Sequence, residues 1–382
     1  MQNSLKPTYL RSGGNTTLLF LAVIVVAVAL GIYLQQKSAP KTQENTYQNL
    51  IMLPKAKSLG EVNFIANDGS VFSKKNLEDK WTILFFAFTN CPDICPSTLH
   101  TLGQVKKELD EKKLWDAFQL AMVTVDPERD TIERLNQYVP FYDQSFVGLR
   151  GELSYTEAFA KNVGILFFKR EVTENGGYDV DHGASLILVD PQGNYAGVIP
   201  APHKKEVLSA DLAKLAKLAI EKGEVLNSPQ PTTATQPHQS SEGAAINQAE
   251  VSNSNVETAP AVEISDPWIR SAPPNAMALA GYATIRNNSD QNISIVGVKS
   301  PFFKMSMIHA TIIEDGVASM EHMDALDIEA GSEAVLKPMG THIMLMRPSQ
   351  SFKVGDVVPI ALSLDDGTTL SAEFVVKTPP EE

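Results

Sequence analysis

The chain consists of several stretches that differ in their pattern of hydrophobic and polar residues. Residues 17–34 form an uncharged, strongly apolar run of 18 residues, which is long enough to cross a bilayer as a helix. We therefore predict a single-pass membrane anchor, with residues 1–16 in the cytoplasm and everything that follows outside. Basic residues flank both ends of the run, so the positive-inside rule supports this orientation only weakly. Residues 35–58 are polar and are expected to form a tether.

Residues 59–223 alternate between strand and helix patterns. The apolar run Trp81–Phe88 is typical of a fully buried strand, and apolar residues recur at helical spacing over Ser97–Lys112. A capping-box pattern at Ser154–Glu157 predicts the start of another helix. Strands that alternate with helices predict an α/β fold. The remaining predicted strands are Glu61–Ile65, Gln119–Val125, Ser185–Val189 and Asn194–Ile199, and the remaining predicted helices are Thr131–Tyr142 and Leu208–Ala219.

The last part of the chain has a different organisation. Residues 224–263 contain no aromatic residue and are dominated by small and polar residues, so they cannot bury enough apolar surface to become ordered. We predict a disordered linker there. Across residues 264–382, short alternating runs separated by turn signals predict an all-β sandwich or barrel. These runs are Trp268–Arg270, Gly281–Arg286, Ile293–Val298, His309–Ile313, His342–Met346, Val357–Leu362 and Ala372–Val376.

Composition excludes some classes of function. A formal net charge of −13 over 382 residues leaves no basic face to neutralise phosphates, which argues against a nucleic-acid partner. Cys91 and Cys95 are the two cysteines of the chain, so no disulfide framework can exist beyond that pair.

The two cysteines lie where a predicted strand gives way to a predicted helix. Cys95 is expected just before or on the first helical turn, where unpaired backbone N–H groups and the helix dipole favour a thiolate. Thioredoxin-type redox motifs have two residues between the cysteines, whereas the three residues here can let both sulfurs reach one metal ion. Asp93, inside this loop, is either a solvated turn residue or a group that tunes charge or contacts a partner. Asp126 and Arg129 are expected to form an ion pair that braces a neighbouring loop.

At this motif the chain resembles the Sco/SenC family of copper-delivery proteins, which carry a CxxxCP motif on a thioredoxin-like fold. The resemblance covers about residues 59–223 and implies that His182 completes a three-coordinate copper site with Cys91 and Cys95. The metal would be Cu(I), with Cu(II) as a second candidate. The other segments that carry the resemblance are Asp126–Thr131, Asp181–His182 and Asp190–Gly193.

Methionine and histidine are concentrated near the C-terminal end of the chain. Seven of the eleven methionines and three of the seven histidines lie between residues 305 and 346. They alternate along residues 305–309 and again along residues 342–346, so each set shares one face of a predicted strand. Thioether and imidazole groups suit Cu(I) and discriminate against calcium, magnesium and manganese.

Four of these residues, His309, Met320, His342 and Met344, have the spacing H-x10-M-x21-H-x-M. This spacing resembles the motif of the PCuAC family of periplasmic Cu(I) carriers, which are small cupredoxin-type β-sandwiches. The resemblance covers about residues 264–377 and implies that the four residues bind Cu(I).

Other soft side chains surround this motif. His322 and Met323 stand beside Met320 in the sequence, so the identity of the fourth ligand is open. Met305, Met339 and Met346 are expected to be adaptable core residues rather than ligands.

Together the two resemblances imply a membrane-anchored copper metallochaperone of the bacterial inner membrane, with both domains on the periplasmic side. Its partner would be the copper-bearing subunit of cytochrome c oxidase during assembly. A competing hypothesis is an enzyme, a thiol–disulfide oxidoreductase whose Cys91–Cys95 pair keeps the oxidase cysteines reduced and is restored by a thioredoxin-like reductant. Copper sequestration is a third. The His/Met domain favours the metallochaperone, because a pure reductase has no use for it.

The fusion of two copper domains predicts a relay within one molecule. A flexible segment of 40 residues has an r.m.s. span of about 35 Å, which lets the two sites meet. Thiolates hold Cu(I) more tightly than thioethers and imidazoles do, so the expected direction is towards Cys91 and Cys95.

Overall fold

The structure is a computed structural model that describes residue 30 and residues 47–171, 178–225, 260–314 and 316–379. Apart from Leu30, the membrane anchor predicted at residues 17–34 lies outside these residues, as does most of the linker predicted at residues 224–263. Among the described residues, no helix combines the length and the apolar character that crossing a bilayer requires.

The first domain mixes strands and helices in the predicted alternation. Its strands are β1 (Ile51–Ser58), β2 (Asn63–Ala66), β3 (Val71–Ser73), β4 (Trp81–Ala87), β5 (Phe118–Thr124), β6 (Val147–Arg150), β7 (Phe167–Lys169), β8 (Val180–Gly183), β9 (Leu186–Val189) and β10 (Asn194–Ile199). Its α-helices are α1 (Ile94–Glu111), α2 (Ile132–Tyr138), α3 (Leu153–Asn162) and α4 (Lys205–Glu221), and 3₁₀ turns occur at Lys74–Leu77, Trp115–Ala117 and Val139–Phe141.

Strand β4 lies at the centre of the first sheet, and each of its residues is buried. The strand order is β1-β10-β9-β4-β5-β6-β2-β3, in which β4 pairs in parallel with β5 and antiparallel with β9. The crossover β4–α1–β5 is followed later in the chain by the β9–β10 hairpin and helix α4, which packs against α1. The predicted α/β fold and the thioredoxin-like arrangement are confirmed.

Helix α3 differs from its predicted start. It begins at Leu153 with Glu152 as its N-cap residue, so the capping box predicted at Ser154 is wrong. Tyr155 packs edge-on against Phe64, with 5.1 Å between ring centroids. This contact with strand β2 joins distant parts of the chain, so the local sequence pattern does not record it.

The tether predicted at residues 35–58 ends earlier than expected, because Ile51–Ser58 forms strand β1 and pairs with β10. Most of β1 is exposed at the sheet edge, so it lacks the apolar alternation that would identify a strand. The segment before it is held firmly. Leu50 is fully buried, and the Asp211 carboxylate accepts hydrogen bonds from the backbone N–H groups of residues 48–50 at 2.7–2.9 Å.

The second domain consists of strands, so the all-β prediction is confirmed. Each strand predicted there lies within an observed one, whereas the hairpin partner of β14 and the two short strands that follow it were not predicted. The strands are β11 (Val262–Arg270), β12 (Ala278–Asn287), β13 (Ile293–Lys299), β14 (Phe303–Glu314), β15 (Val317–Met323), β16 (Leu326–Ile328), β17 (Glu333–Leu336), β18 (Thr341–Pro348), β19 (Val357–Leu364) and β20 (Thr369–Lys377).

This sheet folds back on itself. Strands β13 and β14 contact each other although they are separated in the strand order β16-β13-β19-β20-β11-β12-β18-β14-β15. The apolar side chains enclosed in this way, which include Ile285, Ile343 and Phe374, form a core of their own. The cupredoxin-type topology implied by the resemblance remains a prediction.

The two domains share a sheet. Strand β15 of the second domain pairs antiparallel with β8 of the first, and β8 pairs with β7. The described residues from 47 onward accordingly belong to one compact unit.

We expect Asp211→Ala to destabilise the protein by about 2 kcal/mol or more, because it leaves buried backbone N–H groups without an acceptor. Urea unfolding measures this change in the free energy of unfolding. Asp116→Ala, which removes an exposed carboxylate, is the matched control and should change stability by less than about 0.5 kcal/mol. Equal effects of the two substitutions would show that Asp211 does not hold the segment before β1.

Candidate metal centres

The first cluster of metal-binding side chains surrounds the turn between β4 and α1. Strand β4 ends at Ala87 and helix α1 begins at Ile94, so Cys91 lies in the turn and Cys95 on the first helical turn, as expected. The backbone N–H of Cys95 donates to the Cys91 sulfur at 3.4 Å, which favours a thiolate at a helix N-terminus. Both cysteines are free thiols and are buried, with 2% and 0% of their surface exposed.

His182 faces these thiols from strand β8. Its Nδ1 lies 3.1 Å from the carbonyl oxygen of Gly183, and because a carbonyl only accepts, Nδ1 donates a hydrogen bond there. The other ring nitrogen, Nε2, faces the thiols and lies 3.4 Å from the Cys95 sulfur. The two sulfurs and a ring nitrogen of His182 all lie within 4.8 Å of one another. The structure thus brings the three predicted residues together with donor atoms that can converge on one soft ion.

Burial alone would raise the pKa of the Cys91 thiol, but hydrogen bonds from Cys95 and His182 outweigh it and lower that pKa. Burial and the neighbouring Cys91 raise the pKa of Cys95 well above its usual value. The surroundings of Cys91 therefore favour its thiolate, whereas those of Cys95 favour its protonated thiol.

Asp126, Arg129 and Tyr178 form an aromatic and ionic cluster, here called the clasp, that holds the chain segment leading into β8. Arg129 pairs with Asp126, as predicted, and donates to the carbonyl of Tyr178 at 2.9 Å. The guanidinium also lies 3.7 Å from the centroid of the Tyr178 ring, and the tyrosine hydroxyl donates to Asp126 at 2.8 Å. Because Tyr178 is two residues before β8, this clasp fixes the strand that carries His182.

Asp130 fixes the other side of the site, and sequence reasoning missed it. Its carboxylate accepts from the Thr89 backbone N–H at 3.1 Å and from the hydroxyls of Thr89 and Thr124 at 2.5 and 2.6 Å. Burial raises the pKa of Asp130 to about 6. Thr89 is the second residue after β4, so Asp130 anchors the point at which the cysteine loop begins.

The second cluster lies on one face of the sheet formed by β15, β14 and β18. His309 on β14 stands directly opposite His342 on β18, and the next pair along the face is Met307 and Met344. Met320 on β15 stands opposite Thr311 of β14. Residues directly opposite each other and residues two apart share a face. The four predicted ligands His309, Met320, His342 and Met344 therefore point to the same side.

The histidine rings of this cluster have free nitrogen atoms. Nδ1 of His342 donates to the carbonyl of Gly340 at 3.0 Å. Its Nε2 and both ring nitrogens of His309 have no hydrogen-bond partner among the described residues. Burial, with smaller contributions from His342 and His322, lowers the pKa of His309 to about 3. Buried ring nitrogens without a partner are costly unless something binds them, so these three nitrogens fit a site for a soft metal ion.

The neighbouring soft residues separate into distinct environments. His322 stands directly opposite His309 but is half exposed and lies 3.4 Å from Asp324. Met323 is on the opposite face and packs against the β-domain core. Met305 and Met346 face each other on the ligand side rather than in that core. His322 is therefore the additional histidine within reach of the cluster.

Asp93 is not a solvated turn residue, because its side chain is 0% exposed. Its carboxylate accepts hydrogen bonds from the Tyr282 hydroxyl at 2.9 Å and the Thr311 hydroxyl at 2.8 Å. Both donors belong to the second domain, 189 and 218 residues further along the chain. No local sequence signal could have identified Tyr282 or Thr311 as part of this site.

The lowered pKa of Cys91 predicts that one thiol per reduced chain ionises well below the ordinary value of about 8.5. Thiolate absorbance near 240 nm, followed as pH rises, should therefore show an early step that Cys91→Ser removes. His182→Ala should move this step to higher pH because it removes a stabilising hydrogen bond. Two thiols that titrate together at or above the ordinary value would contradict the assignment.

Comparison with known proteins agrees with the division into two domains. A family model described as SCO1/SenC matches residues 52–217, and one described as "Putative lipoprotein LpqE-like" matches residues 262–376. A relative from Stutzerimonas stutzeri, named "Putative copper-binding protein", is 33% identical over 205 residues, which are 53% of this chain and 96% of the relative.

Each domain is similar to a solved structure. Copper-bound ScoI of Arabidopsis thaliana is 31% identical, with 42% of this chain and 98% of that chain covered and a TM-score of 0.38. The copper-bound PCuAC domain from PmoF2 is 22% identical, with 32% of this chain and 97% of that chain covered and a TM-score of 0.28. The extent of the match to the Stutzerimonas stutzeri relative, together with the two family models, places the chain in the SCO1/SenC family, with an LpqE-like domain following its family domain.

Proposed function

We propose that this protein is a copper metallochaperone with two copper sites. The observation that carries the proposal is the convergence of Cys91, Cys95 and His182, whose donor atoms lie within 4.8 Å of one another in a buried site. Two thiolates and a neutral imidazole form a soft donor set that favours Cu(I) over hard cations. Cu(II) is a second candidate at this site. Family membership and the copper-binding relatives support copper as the cargo.

The second site takes Cu(I) through His309, Met320, His342 and Met344. The support is their shared face and the partnerless nitrogens of the two histidines. Thioethers and imidazoles do not form disulfides, so this site keeps its ligands in an oxidising compartment in which a thiolate pair would be lost. His322 is a candidate fifth ligand because it stands opposite His309.

The client is the copper-bearing subunit of cytochrome c oxidase, which receives copper during assembly. The apolar run at residues 17–34 anchors the chain in the bacterial inner membrane, with both domains on the periplasmic side. Anchoring confines the carrier to the surface in which an integral-membrane client resides. The net charge of −13 argues against nucleic acid as a partner.

A thiol–disulfide oxidoreductase is the second candidate, and the lowered pKa of Cys91 beside Cys95 favours it. The Cys91 thiolate would attack a disulfide of the client and form a mixed disulfide. Cys95 would then attack Cys91 and release the client. The client would leave with both of its thiols reduced, and Cys91 and Cys95 would be joined in a disulfide. A thioredoxin-like reductant must restore Cys91 and Cys95 afterwards.

We expect the full chain, reduced and anaerobic, to bind about two Cu(I) ions, one per site. Cys91→Ser or Cys95→Ser should remove one of them, because a hydroxyl is a poor ligand for a soft metal. His182→Ala should weaken the same site by roughly tenfold or more, whereas His203→Ala, at a half-buried histidine that is not part of the cluster, should not. Competition with a chromophoric Cu(I) chelator measures each affinity. Full copper content in Cys91→Ser would refute the first site.

At the second site, His309→Ala and Met344→Leu should each lower Cu(I) affinity, and this loss should persist when the cysteine pair is oxidised. Met277→Leu is the control, because Met277 is exposed at 37% and lies outside the cluster. X-ray absorption of the oxidised chain with one copper should show both sulfur and nitrogen neighbours. Nitrogen and oxygen neighbours alone would contradict a methionine-containing site.

The metallochaperone and the reductase make opposite predictions for a client copper domain. If the chain is a metallochaperone, a reduced apo client should gain copper from the loaded protein. If it is a reductase, an oxidised client should gain thiols from the copper-free protein at the expense of the Cys91–Cys95 pair. Mass spectrometry of the client distinguishes added copper from added protons. Thiol gain without copper transfer would replace the metallochaperone with the enzyme.

A further inference from the structure

The sheet that joins the two domains carries ligands of both sites. In the β8–β15 pair, His182 stands directly opposite Ala318, and the Ala184 backbone N–H donates to the Gly316 carbonyl at 2.9 Å. The second domain thus extends its sheet with the strand that carries a ligand of the first site. This is strand addition within one chain, with main-chain hydrogen bonds as the attachment.

The proposed ligands lie side by side on one face of the neighbouring strands β8, β15, β14 and β18. Met320 is two residues from Ala318 and is therefore a diagonal neighbour of His182, with Cβ atoms roughly 7 Å apart. His309 is in turn a diagonal neighbour of Met320, because Thr311 stands opposite Met320. His342 stands directly opposite His309, about 5 Å away. A continuous series of soft ligands leads from the first site to the second.

Met320 packs with the first domain rather than with its own. It belongs to the same apolar cluster as Cys91 and Cys95, not to the core of the second domain. Cys91 in turn lines a small cleft against Arg270 and Leu279 of the second domain. The turn between β4 and α1 that carries Cys91, which we call the cysteine loop, therefore lies against the second domain.

Asp93 holds this contact together. It occupies the N-cap position of α1 but does not cap the helix with its side chain, although aspartate is a favoured cap. Its carboxylate points into the second domain instead. There it accepts from Tyr282, from Thr311 and from the backbone N–H of Met339 at 2.8–2.9 Å. We call these three donors the carboxylate socket.

Two further polar groups lie near the Asp93 carboxylate. The Arg270 guanidinium lies 4.0 Å from one oxygen, and Nδ1 of His342 lies 3.8 Å from the other. Met339, whose N–H is one of the donors, has a left-handed backbone with φ of 61°, an uncommon conformation for a residue with a side chain. Burying a carboxylate without such partners would disfavour docking. Here the hydrogen bonds from its donors offset the cost of removing the carboxylate from water.

We propose that the His/Met face of the second domain, the side of strands β14, β15 and β18 that carries His309, Met320, His342 and Met344, is the docking surface for the cysteine loop of the first. In this proposal Asp93 holds the loop in place, and Cu(I) passes across this contact within one molecule. The proposal rests on the proposed function for the identity of the metal. Its partner is the same chain, and Met320 is the ligand of the second site that lies nearest to the first.

The transfer is a ligand exchange without electron transfer. Bonds from Cu(I) to His309, His342 and the methionine sulfurs break as bonds form to the two cysteine sulfurs and to Nε2 of His182. The copper stays Cu(I) throughout, and the proton on Cys95 leaves to solvent as its sulfur becomes a ligand. Docking contributes proximity, because neighbouring ligands can replace one another without releasing the ion to water.

Docking is tested first without copper, in the reduced full chain, by the rate at which a charged maleimide alkylates the cysteines. The double substitution Tyr282→Phe with Thr311→Val removes two socket donors, preserves shape and leaves the cysteine loop unchanged. It should speed alkylation by about tenfold. Thr369→Val, at an exposed strand position, is the control and should not change the rate. Adding Asp93→Asn to the double variant should have little further effect, because the residues act through one contact.

Transfer is tested in the same full chain with the cysteine pair oxidised and one Cu(I) bound, the loading being measured before each run. Addition of a phosphine reductant frees the thiols, and copper–thiolate absorption in the near ultraviolet reports transfer. In the unaltered chain the rate should be independent of protein concentration, and the double variant should be about tenfold slower.

Equal alkylation rates in the double variant and the unaltered chain would overturn the docking contact. Equal transfer rates, or transfer that depends on protein concentration, would overturn passage within one molecule. If the unaltered chain binds no Cu(I), the proposed function fails, and the alkylation experiment still decides whether Asp93 seats the loop.

Discussion

A carboxylate buried between two domains is the constraint on which the arrangement of this protein depends. Asp93 can lie at 0% exposure only because donors from three separate segments of the second domain converge on it. Moving the carboxylate into water would leave those donors unpaired in turn. The same loop carries Cys91 and Cys95, so the interaction that satisfies Asp93 also decides where the thiols lie. Metal chemistry and domain packing are thereby coupled through one short turn.

This coupling has a consequence for delivery. In the docked arrangement the ligands of both sites are almost completely buried, with 4% of His309 and 1% of His182 exposed. A separate client could not reach either site in this state, so the proposed delivery of copper would require the domains to part. Strand β11 includes the last two residues of the linker predicted at residues 224–263. The remainder is long enough to permit this, with an r.m.s. span of about 35 Å. Docking would then serve exchange within the molecule, and separation would serve the client.

Much of each site could be predicted from the sequence, because metal chemistry depends on residue type and spacing. The turn that places Cys91 and Cys95 follows from an apolar run that ends where a helical pattern begins. The shared face of His309, His342 and Met344 follows from strand alternation. These features are local, and the structure has them where the sequence predicts them.

What could not be predicted depends on contacts between distant segments. Strand β8 has four residues and pairs with β15, which lies in the other domain, so no local pattern identifies it. Asp93 looks like an ordinary turn residue until its partners some two hundred residues away are known. The edge strand β1 could not be predicted for a related reason. Its exposed residues show no apolar alternation, and Asp211, which holds the segment before it, is on the last helix of the domain.

The presence of two neighbouring copper sites can be tested by a crystal structure of the full chain loaded with two equivalents of Cu(I), with anomalous scattering recorded on both sides of the copper absorption edge. We expect two copper peaks, one bonded to Cys91, Cys95 and His182 and one bonded to the His309–His342 pair with methionine. They should be roughly 10 Å apart, because two strand spacings separate β8 from β14. A single peak, or peaks bound to other residues, would contradict this expectation.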